Sequence, residues 1–371
     1  MSSSAPFTGM SHEFAIPEPV RVLVIDDSAF MRSALSRMIA SEAGFEVVGT
    51  ACSGAEGLEK VASLNPDVVT LDIEMPGLNG LQTLRYIMNH APRPVIMVSS
   101  VTEAGTEQTF DALAAGAFDY VPKNLSSTSL DIAHIREDLI AKIRAAAQSR
   151  KPSPTGLSRK PPGSSWPNIS EPASSTAPAI VALGTSTGGP KALEEILPVL
   201  PRDLSVPLLI VQHMPPGFTA PFAHRMNDLC AVTVREANNG EPILPGVVYI
   251  APAGIHMTVK RFSDFESIIH LDIHPEHFPH IPSVDVLMNS VAEAFTNLAM
   301  GVILTGMGCD GAQGMKAIHC FGGITIGQDE ETCAVYSMPR ACADLGVLSR
   351  VVPLCEVPRQ IVLATRSRKR A

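Results

Sequence analysis

The sequence predicts an α/β protein with two doubly wound parallel-sheet domains that are joined by a flexible linker. Three observations support this fold class. The chain has 371 residues, and at about 150 residues per domain this length favours two domains. Short apolar runs alternate with amphipathic stretches, as in βαβ units, on both sides of a segment rich in proline and serine. Hydrophobic residues make up 45% of the chain and charged residues 18%, a composition that allows large buried cores.

The first half of the chain contains five short apolar runs that we interpret as strands. The stretches between them have helical spacing; for example, Met31, Leu35 and Met38 would share one face of a helix. We therefore predict a first domain over residues 21–144, preceded by an N-terminal extension of residues 1–20. The predicted strands cover residues 22–25, 45–48, 68–71, 95–98 and 119–121.

The second half begins after a change of composition. Residues 145–177 mix prolines with serines and have no apolar period, which predicts an extended linker. Strand and helix patterns then return, so we predict a second α/β domain over residues 178–366 and a basic tail over residues 367–371. The strand candidates are residues 179–183, 208–211, 247–250, 268–271, 301–304 and 324–326, and the clearest helices are residues 284–298 and 312–320.

Charge and cysteine content narrow the classes of function. A net charge of −9 argues against a general nucleic-acid binder, which is usually basic. The first 20 residues lack Lys, Arg and an apolar core, so they do not form a signal peptide, and no run approaches the ~18 apolar residues of a membrane span. The seven cysteines form no C-x-x-C pair, which favours buried thiols in a reducing compartment. We expect a cytoplasmic protein without direct membrane insertion or a nucleic-acid partner.

Charged and polar residues follow the predicted strands of the first domain. Asp26 and Asp27 follow the first strand, Asp72 the third, Ser99 the fourth and Lys123 the fifth. In a parallel sheet these positions converge on one edge. Three carboxylates repel one another unless a divalent cation such as Mg²⁺ binds them, and an aspartate between a cation and a lysine can attack a phosphoryl donor. The alternative, solvated aspartates at helix N-termini, explains each residue alone but not the whole set.

The second domain contains a candidate nucleophile. The strand at 179–183 runs through Gly184-Thr-Ser-Thr-Gly-Gly into a helix, which is the strand–turn–helix context of a nucleophile elbow centred on Ser186. A phosphate-binding loop is disfavoured because Pro190 stands where that loop requires lysine. His213 and Asp310 follow two other predicted strands, so a base and an orienting acid would reach the same sheet edge.

Alternative functions remain open on these patterns alone. Residues 306–311 read G-x-G-x-x-G after a strand, as in a nucleotide-dependent oxidoreductase, although that interpretation leaves Ser186 and His213 unexplained. A binding protein with an inactive hydrolase domain is a second alternative. A regulator with a DNA-binding output is a third, disfavoured because the second domain is neither basic nor short and helical.

Four histidines lie close together between a predicted strand and a predicted helix. They lack the regular ligand spacing of a metal site. We interpret this segment as an exposed loop near the edge of the active site, with a pH effect on substrate binding as a further hypothesis. The histidines are His270, His274, His277 and His280.

The first domain resembles the receiver domain of two-component response regulators. The resemblance is carried by residues 24–28 (VIDDS), 71–80 (LDIEMPGLNG), 98–100 (VSS) and 118–123 (FDYVPK). It implies a flavodoxin-like fold and a histidine kinase as phosphodonor. One departure is Asn124, which stands where the family usually has proline. The implied roles are phosphoacceptor for Asp72, Mg²⁺ binding for Asp26, Asp27 and Asp72, and switching for Ser99, Tyr120 and Lys123.

The second domain resembles the Rossmann-like catalytic domain of chemotaxis protein-glutamate methylesterases. The matching stretches are residues 184–189 (GTSTGG), 212–215 (QHMP), 249–252 (YIAP), 282–287 (PSVDVL), 304–308 (LTGMG) and 310–311 (DG). Ile281 stands where the family usually has arginine, and Cys309 where it usually has asparagine. The implied roles are nucleophile for Ser186, general base for His213, orienting acid for Asp310, an oxyanion-binding amide for Met307, and a place beside the nucleophile for Thr187.

Together the two resemblances imply a function. The chain would hydrolyse glutamate methyl esters, and deamidate glutamines, on methyl-accepting chemotaxis receptors, as part of two-component signalling and sensory adaptation. The hydrolase would need no cofactor. In this family the unphosphorylated receiver covers the catalytic cleft, so phosphorylation of Asp72 would control activity.

Overall fold

The structure, a computed structural model, describes residues 18–100, 102–123, 129–149, 177–263, 266–275 and 278–366. Most of the N-terminal extension, most of the linker, the basic tail, Asn124 and His277 lie outside these ranges. Within them the chain forms two all-parallel sheets with helices on both faces, and a separate two-stranded hairpin. The predicted fold class is confirmed.

The first sheet has five parallel strands in the order β2-β1-β3-β4-β5. The direction of winding reverses between β1 and β3, which leaves a crevice at the carboxyl ends of these two strands. Each predicted strand is present within a few residues, and the last helix runs to Gln148. In chain order the elements are β1 (Val20–Ile25), α1 (Ala29–Ala40), β2 (Phe45–Ala51), α2 (Gly54–Leu64), β3 (Val68–Asp72), α3 (Gly80–His90), β4 (Val95–Ser99), α4 (Glu103–Ala114), β5 (Asp119–Pro122) and α5 (Ser129–Gln148).

Local sequence explains where the helices of this sheet begin. Ser28 stands immediately before α1, and its hydroxyl accepts a hydrogen bond from the amide of Met31. Asn79 and Gln82 form a capping box at the start of α3, each side chain accepting from the other residue's amide. Such caps stabilise a helix by about 1 kcal/mol each and fix the point at which the chain leaves the strand. They therefore hold the loops that follow β1 and β3 at one edge of the sheet.

The second sheet has seven parallel strands in the order β14-β13-β12-β6-β7-β9-β8. Its central strand is β6, which pairs with β12 on one side and β7 on the other. In chain order the elements are β6 (Ile180–Thr185), α6 (Gly189–Ile196), β7 (Leu208–Gln212), α7 (Thr219–Leu229), β8 (Thr233–Glu236), β9 (Val247–Ile250), β10 (His256–Arg261), β11 (Ser267–Asp272), α8 (Val284–Phe295), β12 (Ala299–Ile303), α9 (Ala312–Cys320), β13 (Ile324–Gln328), α10 (Ser337–Asp344), β14 (Arg350–Val352) and α11 (Val357–Arg366).

Sequence patterns missed three strands of the second half and did not show to which sheet a fourth belongs. The edge strands β8 and β14, and β10 of the hairpin, carry too few consecutive apolar residues to stand out. The run at 268–271 does form a strand, but β11 pairs antiparallel with β10 and is not in the main sheet. It packs on α8 through β10. Within the described ranges, none of the helices has the length and apolar character that crossing a bilayer requires.

Candidate active site and phosphorylation site

The nucleophile elbow forms where β6 passes into α6. Gly188 has a φ of +76°, a left-handed conformation that lets the chain turn sharply before the helix. Ser186 precedes this turn and is half-buried. Its amide donates to the carbonyl of Thr305 at 3.0 Å, and its carbonyl accepts from the amide of Gly189 at 2.8 Å. The serine is thus fixed at the N-terminal end of a helix, where amides and the helix dipole favour negative charge.

Three adjacent strands bring Ser186, His213 and Asp310 to one edge of the second sheet. His213 follows β7 and Asp310 follows β12, the two neighbours of β6. His213 Nε2 lies 2.9 Å from Asp310 Oδ2. Because an ionised carboxylate only accepts, this nitrogen carries the proton and Nδ1 of the neutral ring holds a lone pair. His213 Nδ1 is buried and makes no hydrogen bond to any described residue. It is therefore available to accept a proton, although it does not bond to Ser186 in this structure.

Asp310 is held by the start of α8 as well as by His213. Ser283 Oγ donates to Oδ1 at 2.8 Å, the Val284 amide to Oδ2 at 2.8 Å and the Asp285 amide to Oδ1 at 3.0 Å. Burial opposes ionisation of Asp310, but the hydrogen bonds from His213 and from these amides outweigh it and lower its pKa to about 2. The carboxylate therefore stays charged at neutral pH.

Two further histidines lie around the hydrogen-bond chain that His213, Asp310 and Ser283 form. The ring of His280 stacks on His213 with centroids 4.3 Å apart. Although His280 as a whole is exposed, desolvation of its ring and the neighbouring His213 lower its pKa to about 4. His256 is buried, and its Nδ1 accepts from the amide of Ser283 at 3.1 Å. Sequence patterns assigned no role to His256, whereas a serine just before a helix is a cap signal that could have pointed to Ser283.

The histidine-rich segment does not gather into a metal site within the described residues. His270 lies in strand β11 and not in a loop, and His274 is exposed just beyond it. Among the described residues, Asp26, Asp27 and Asp72 alone form a group of three potential ligands with mutually close donor atoms.

The two predicted oxyanion residues lie on either side of the elbow. Thr187 is buried, and its carbonyl accepts from Thr305 Oγ1 at 2.9 Å. Met307 follows β12 and is half-buried. Met307 and Gly188 line one wall of a cleft of about 1150 Å³ whose other wall comes from the first half of the chain, including Ala117 and Phe118.

The acidic residues of the first sheet converge on one edge. One oxygen from each of Asp26, Asp27 and Asp72 lies within 4.8 Å of the others. Lys123 Nζ is 2.5 Å from Asp72 Oδ2 and 3.4 Å from Asp26 Oδ2. Burial and the charge of Asp26 raise the pKa of Asp72 to about 6, although Lys123 opposes them. Burial also raises the pKa of Asp26, so two of the three carboxyl groups resist ionisation, and Mg²⁺, which prefers carboxylate oxygens, would neutralise their charge.

Ser99 and Tyr120 face away from this acidic group. Ser99 Oγ donates to the carbonyl of Gly105 at 3.2 Å and accepts from Thr109 Oγ1 at 2.6 Å, both on α4. The ring of Tyr120 is buried and stacks on Phe218 of the second half with centroids 4.7 Å apart. These contacts connect the acidic site to the surface on which the two halves meet.

An aromatic contact between α4 and α7 joins the two halves of the chain. Phe110 on α4 is 1% exposed, and its ring lies 6.3 Å from Phe218 and 5.3 Å from Phe222. Beside this cluster, Arg225 Nη1 lies 2.8 Å from Asp111 Oδ1. Sequence patterns did not single out Phe110, because an apolar position that faces another domain has the same helical pattern as one that faces its own core.

The glycine-rich segment at 306–311 serves the hydrogen-bond chain and not a dinucleotide. Asp310 within it projects toward His213 and the start of α8. A carboxylate in the loop that would receive a pyrophosphate repels that ligand, so the oxidoreductase alternative loses its site.

Known proteins similar to this chain match both halves. A family model described as CheB methylesterase matches residues 181–361, and one described as response regulator receiver domain matches residues 22–134. The protein-glutamate methylesterase/protein-glutamine glutaminase of Symbiobacterium thermophilum is 46% identical over 358 residues, covering 94% of this chain and 98% of the relative. The relative of the same name from Bacillus subtilis is 42% identical over 356 residues, covering 94% of this chain and 99% of the relative.

Two solved structures from Thermotoga maritima each match one half of the chain. The CheB methylesterase catalytic domain is 38% identical with a TM-score of 0.49, covering 51% of this chain and 99% of that one. The response regulator domain of CheB is 48% identical with a TM-score of 0.33, covering 36% of this chain and 99% of that one.

Proposed function

Because this chain belongs to the family of protein-glutamate methylesterases/protein-glutamine glutaminases that carry a receiver domain, we propose that it is a phosphorylation-controlled serine hydrolase of chemotaxis. Its substrates are glutamate methyl esters and glutamines on methyl-accepting receptors. We assign the receiver to residues 21–144 and the catalytic domain to residues 178–366. The observation that carries the proposal is the elbow serine with His213 and Asp310 on the two neighbouring strands.

The proposed reaction proceeds through an acyl-enzyme. Ser186 Oγ attacks the ester carbonyl while His213 Nδ1 takes its proton, and the negative charge of Asp310 stabilises the imidazolium that forms. The amide of Met307 and the start of α6 stabilise the oxyanion. The intermediate collapses as the bond from the carbonyl carbon to the ester oxygen, or to the glutamine amide nitrogen, breaks, and His213 returns its proton to that atom, which leaves as methanol or ammonia. Water then attacks the acyl-enzyme by the same route and releases the glutamate side chain.

In the receiver, we propose that Asp72 accepts a phosphoryl group from a histidine kinase. Asp26, Asp27 and Asp72 would hold Mg²⁺, which supplies positive charge to the phosphoryl oxygens when bound. The Asp72 carboxylate attacks the phosphorus atom of the kinase phosphohistidine, the P–N bond breaks and the histidine leaves, and Lys123 stabilises the added negative charge on Asp72. Lys123 already contacts Asp72, and one oxygen from each of the three aspartates lies within 4.8 Å of the others.

The phosphoryl group would reach the catalytic domain through Ser99. Its hydroxyl is bound to α4, and α4 carries Phe110 against Phe218. Drawing Ser99 toward a phosphoryl group on Asp72 breaks the bond to α4 and loosens the aromatic contact. The receiver then moves away from the cleft that contains Met307 and Gly188.

The test is methanol release from methylated receptor membranes, with and without a phosphodonor and Mg²⁺. The wild-type chain should release methanol faster when phosphorylated. Ser186→Ala should lower turnover by about 10⁶-fold while it still accepts phosphate on Asp72. A Ser186→Ala chain whose turnover stays within tenfold of wild type would rule out the serine mechanism. A wild-type chain that releases no methanol would favour a binding protein with an inactive catalytic domain.

A further inference from the structure

Gln212 joins the nucleophile and the base through its side chain. It is the last residue of β7 and is 1% exposed. Its Nε2 donates to the carbonyl of Ser186 at 3.0 Å and to the carbonyl of His213 at 2.9 Å. One amide group thus spans the two chain segments that carry the reacting side chains.

The orientation of this amide is fixed by its surroundings. Reversing it would point the oxygen at two carbonyl oxygens, which repel it, and would leave both carbonyls without this donor. In the present orientation Oε1 is buried and makes no hydrogen bond to any described residue. A buried oxygen without a partner costs about 1–3 kcal/mol, so the arrangement is maintained at the expense of stability. Such a cost is typical of residues that serve a site.

Gly189 provides the space that Gln212 occupies. A Cβ atom at Gly189 would lie 1.9 Å from Gln212 Oε1, which is far inside van der Waals contact. Gly189 is the first residue of α6 and has no positive φ, so its backbone conformation does not require glycine. Gly189, the third glycine of the elbow segment, is therefore explained by the close approach of the Gln212 amide.

Backbone pairing alone does not hold Ser186 against His213. The register of β6 and β7 ends at the pair Thr185 and Gln212, followed by one bond from the His213 amide to the Thr185 carbonyl at 3.2 Å. Among the described residues, no backbone hydrogen bond joins Ser186 directly to His213. The Gln212 amide is the connection between them beyond the end of the ladder.

We propose that Gln212 is a positioning residue for the hydrolysis, a role that rests on the function proposed above. It sets the separation of Ser186 and His213 without touching the substrate. Loss of both donated bonds lets the elbow and the His213 segment shift independently, and a displacement of about 1 Å can cost about 10²-fold in rate. The loss should appear in kcat, with KM changed by less than about threefold, because no substrate contact is removed.

The experiment compares Gln212→Met in the full-length, phosphorylated chain with a matched control, Thr325→Val. Methionine keeps the length of the side chain and removes both donors. Thr325 is also buried in the second sheet, where its hydroxyl donates to the carbonyl of Val347 at 2.6 Å. The readouts are kcat and KM for methanol release, the rate at which a fluorophosphonate labels Ser186, and the midpoint of thermal unfolding.

Gln212→Met should lose about 10²-fold in kcat and in labelling rate, whereas Thr325→Val should keep both within about threefold at a comparable loss of stability. If Gln212→Met does not fold, Gly189→Ala, which forces the Gln212 amide out of place, should show the same loss. A folded Gln212 or Gly189 variant within threefold of wild type would overturn the proposal, as would an equal loss in Thr325→Val. Ser186→Ala separates the two proposals. If Ser186→Ala is inactive while Gln212→Met is fully active, the serine mechanism stands and only the positioning role of Gln212 is refuted.

Discussion

Removing the Phe110 side chain should activate the unphosphorylated chain. Phe110 belongs to the receiver, so Phe110→Ala leaves the catalytic domain unaltered. Its ring is almost fully buried against Phe218, which precedes α7, and Phe222, which lies in α7. If the receiver inhibits by packing on this face, the substitution destabilises the closed state, in which the receiver covers the catalytic cleft. The open state, in which the receiver has moved away, loses only the stability that Phe110 gives to α4 itself.

The expected size follows from the contacts. Truncating a buried Phe to Ala costs about 3–5 kcal/mol, and part of that cost falls on packing within the receiver. Assigning about 2 kcal/mol to the interface shifts the closed–open equilibrium by about 30-fold. The ion pair between Asp111 and Arg225 should contribute less to the closed state, because 50% of the Asp111 side chain is exposed. Such pairs contribute about 0–1 kcal/mol, or at most about fivefold.

The assay is methanol release from methylated receptors at equal enzyme concentration without a phosphodonor. Phe110→Ala should approach the rate of the phosphorylated wild type, also when combined with Asp72→Asn, which removes the phosphoacceptor. Asp111→Asn is the matched control on the same helix. A Phe110→Ala chain no faster than the unphosphorylated wild type would refute inhibition through this face, and a larger effect of Asp111→Asn would refute the assignment of the main contribution to the aromatic contact.

Three further outcomes are expected. A fragment of residues 178–366 should release methanol without a phosphodonor, faster than the unphosphorylated full-length chain; an equal or lower rate would contradict inhibition by the receiver. Asp310→Asn should lower kcat at saturating substrate by less than His213→Ala does, because the acid orients the base and does not itself transfer the proton. Burial raises the pKa of Asp72 from 3.8 to about 6, so the folded state loses stability as the pH rises from 3.8 to about 6. It stays less stable at higher pH, where the buried carboxylate is ionised. Asp72→Asn should therefore raise the unfolding midpoint at pH 7 in Mg²⁺-free buffer and reduce the further rise on adding Mg²⁺, as calorimetry can measure.

The elements of both sheets were largely predictable from the sequence because strand ends carry strong local signals. Every predicted strand of the first half is present, and the helical face of Met31, Leu35 and Met38 is buried as expected. Parallel pairing then places residues that follow strands at one edge of the sheet. For this reason the sequence pattern alone predicts that Asp72 and Lys123 lie close together. In the structure Lys123 Nζ is 2.5 Å from Asp72 Oδ2.

Contacts that depend on how two folded units meet could not be predicted. Nothing in the pattern distinguishes Phe110 from a residue that faces its own sheet. The role of Gln212 was equally hidden, because a polar residue at a strand end is normally solvated, and only the three-dimensional approach of Gly189 shows that its amide is enclosed. The hydrogen bonds from Ser283 and the α8 amides to Asp310 join segments that are distant in sequence.

The proposed catalytic groups are held from opposite faces of the second sheet. The receiver packs on the face that bears α6 and α7, and Phe218 follows His213 by only five residues. Asp310 is anchored from α8 on the other face. Displacing the receiver should therefore change access to Ser186 without altering the hydrogen bonds that set the charge of Asp310. We expect wild type and Phe110→Ala to differ in rate but to share the same midpoint for the acid limb of kcat against pH, because the hydrogen bonds that lower the pKa of Asp310 are the same in both chains. A midpoint that moves by a full pH unit between the two chains would show instead that the receiver acts on the hydrogen-bond chain itself, and inhibition would then be a change in chemistry and not in access.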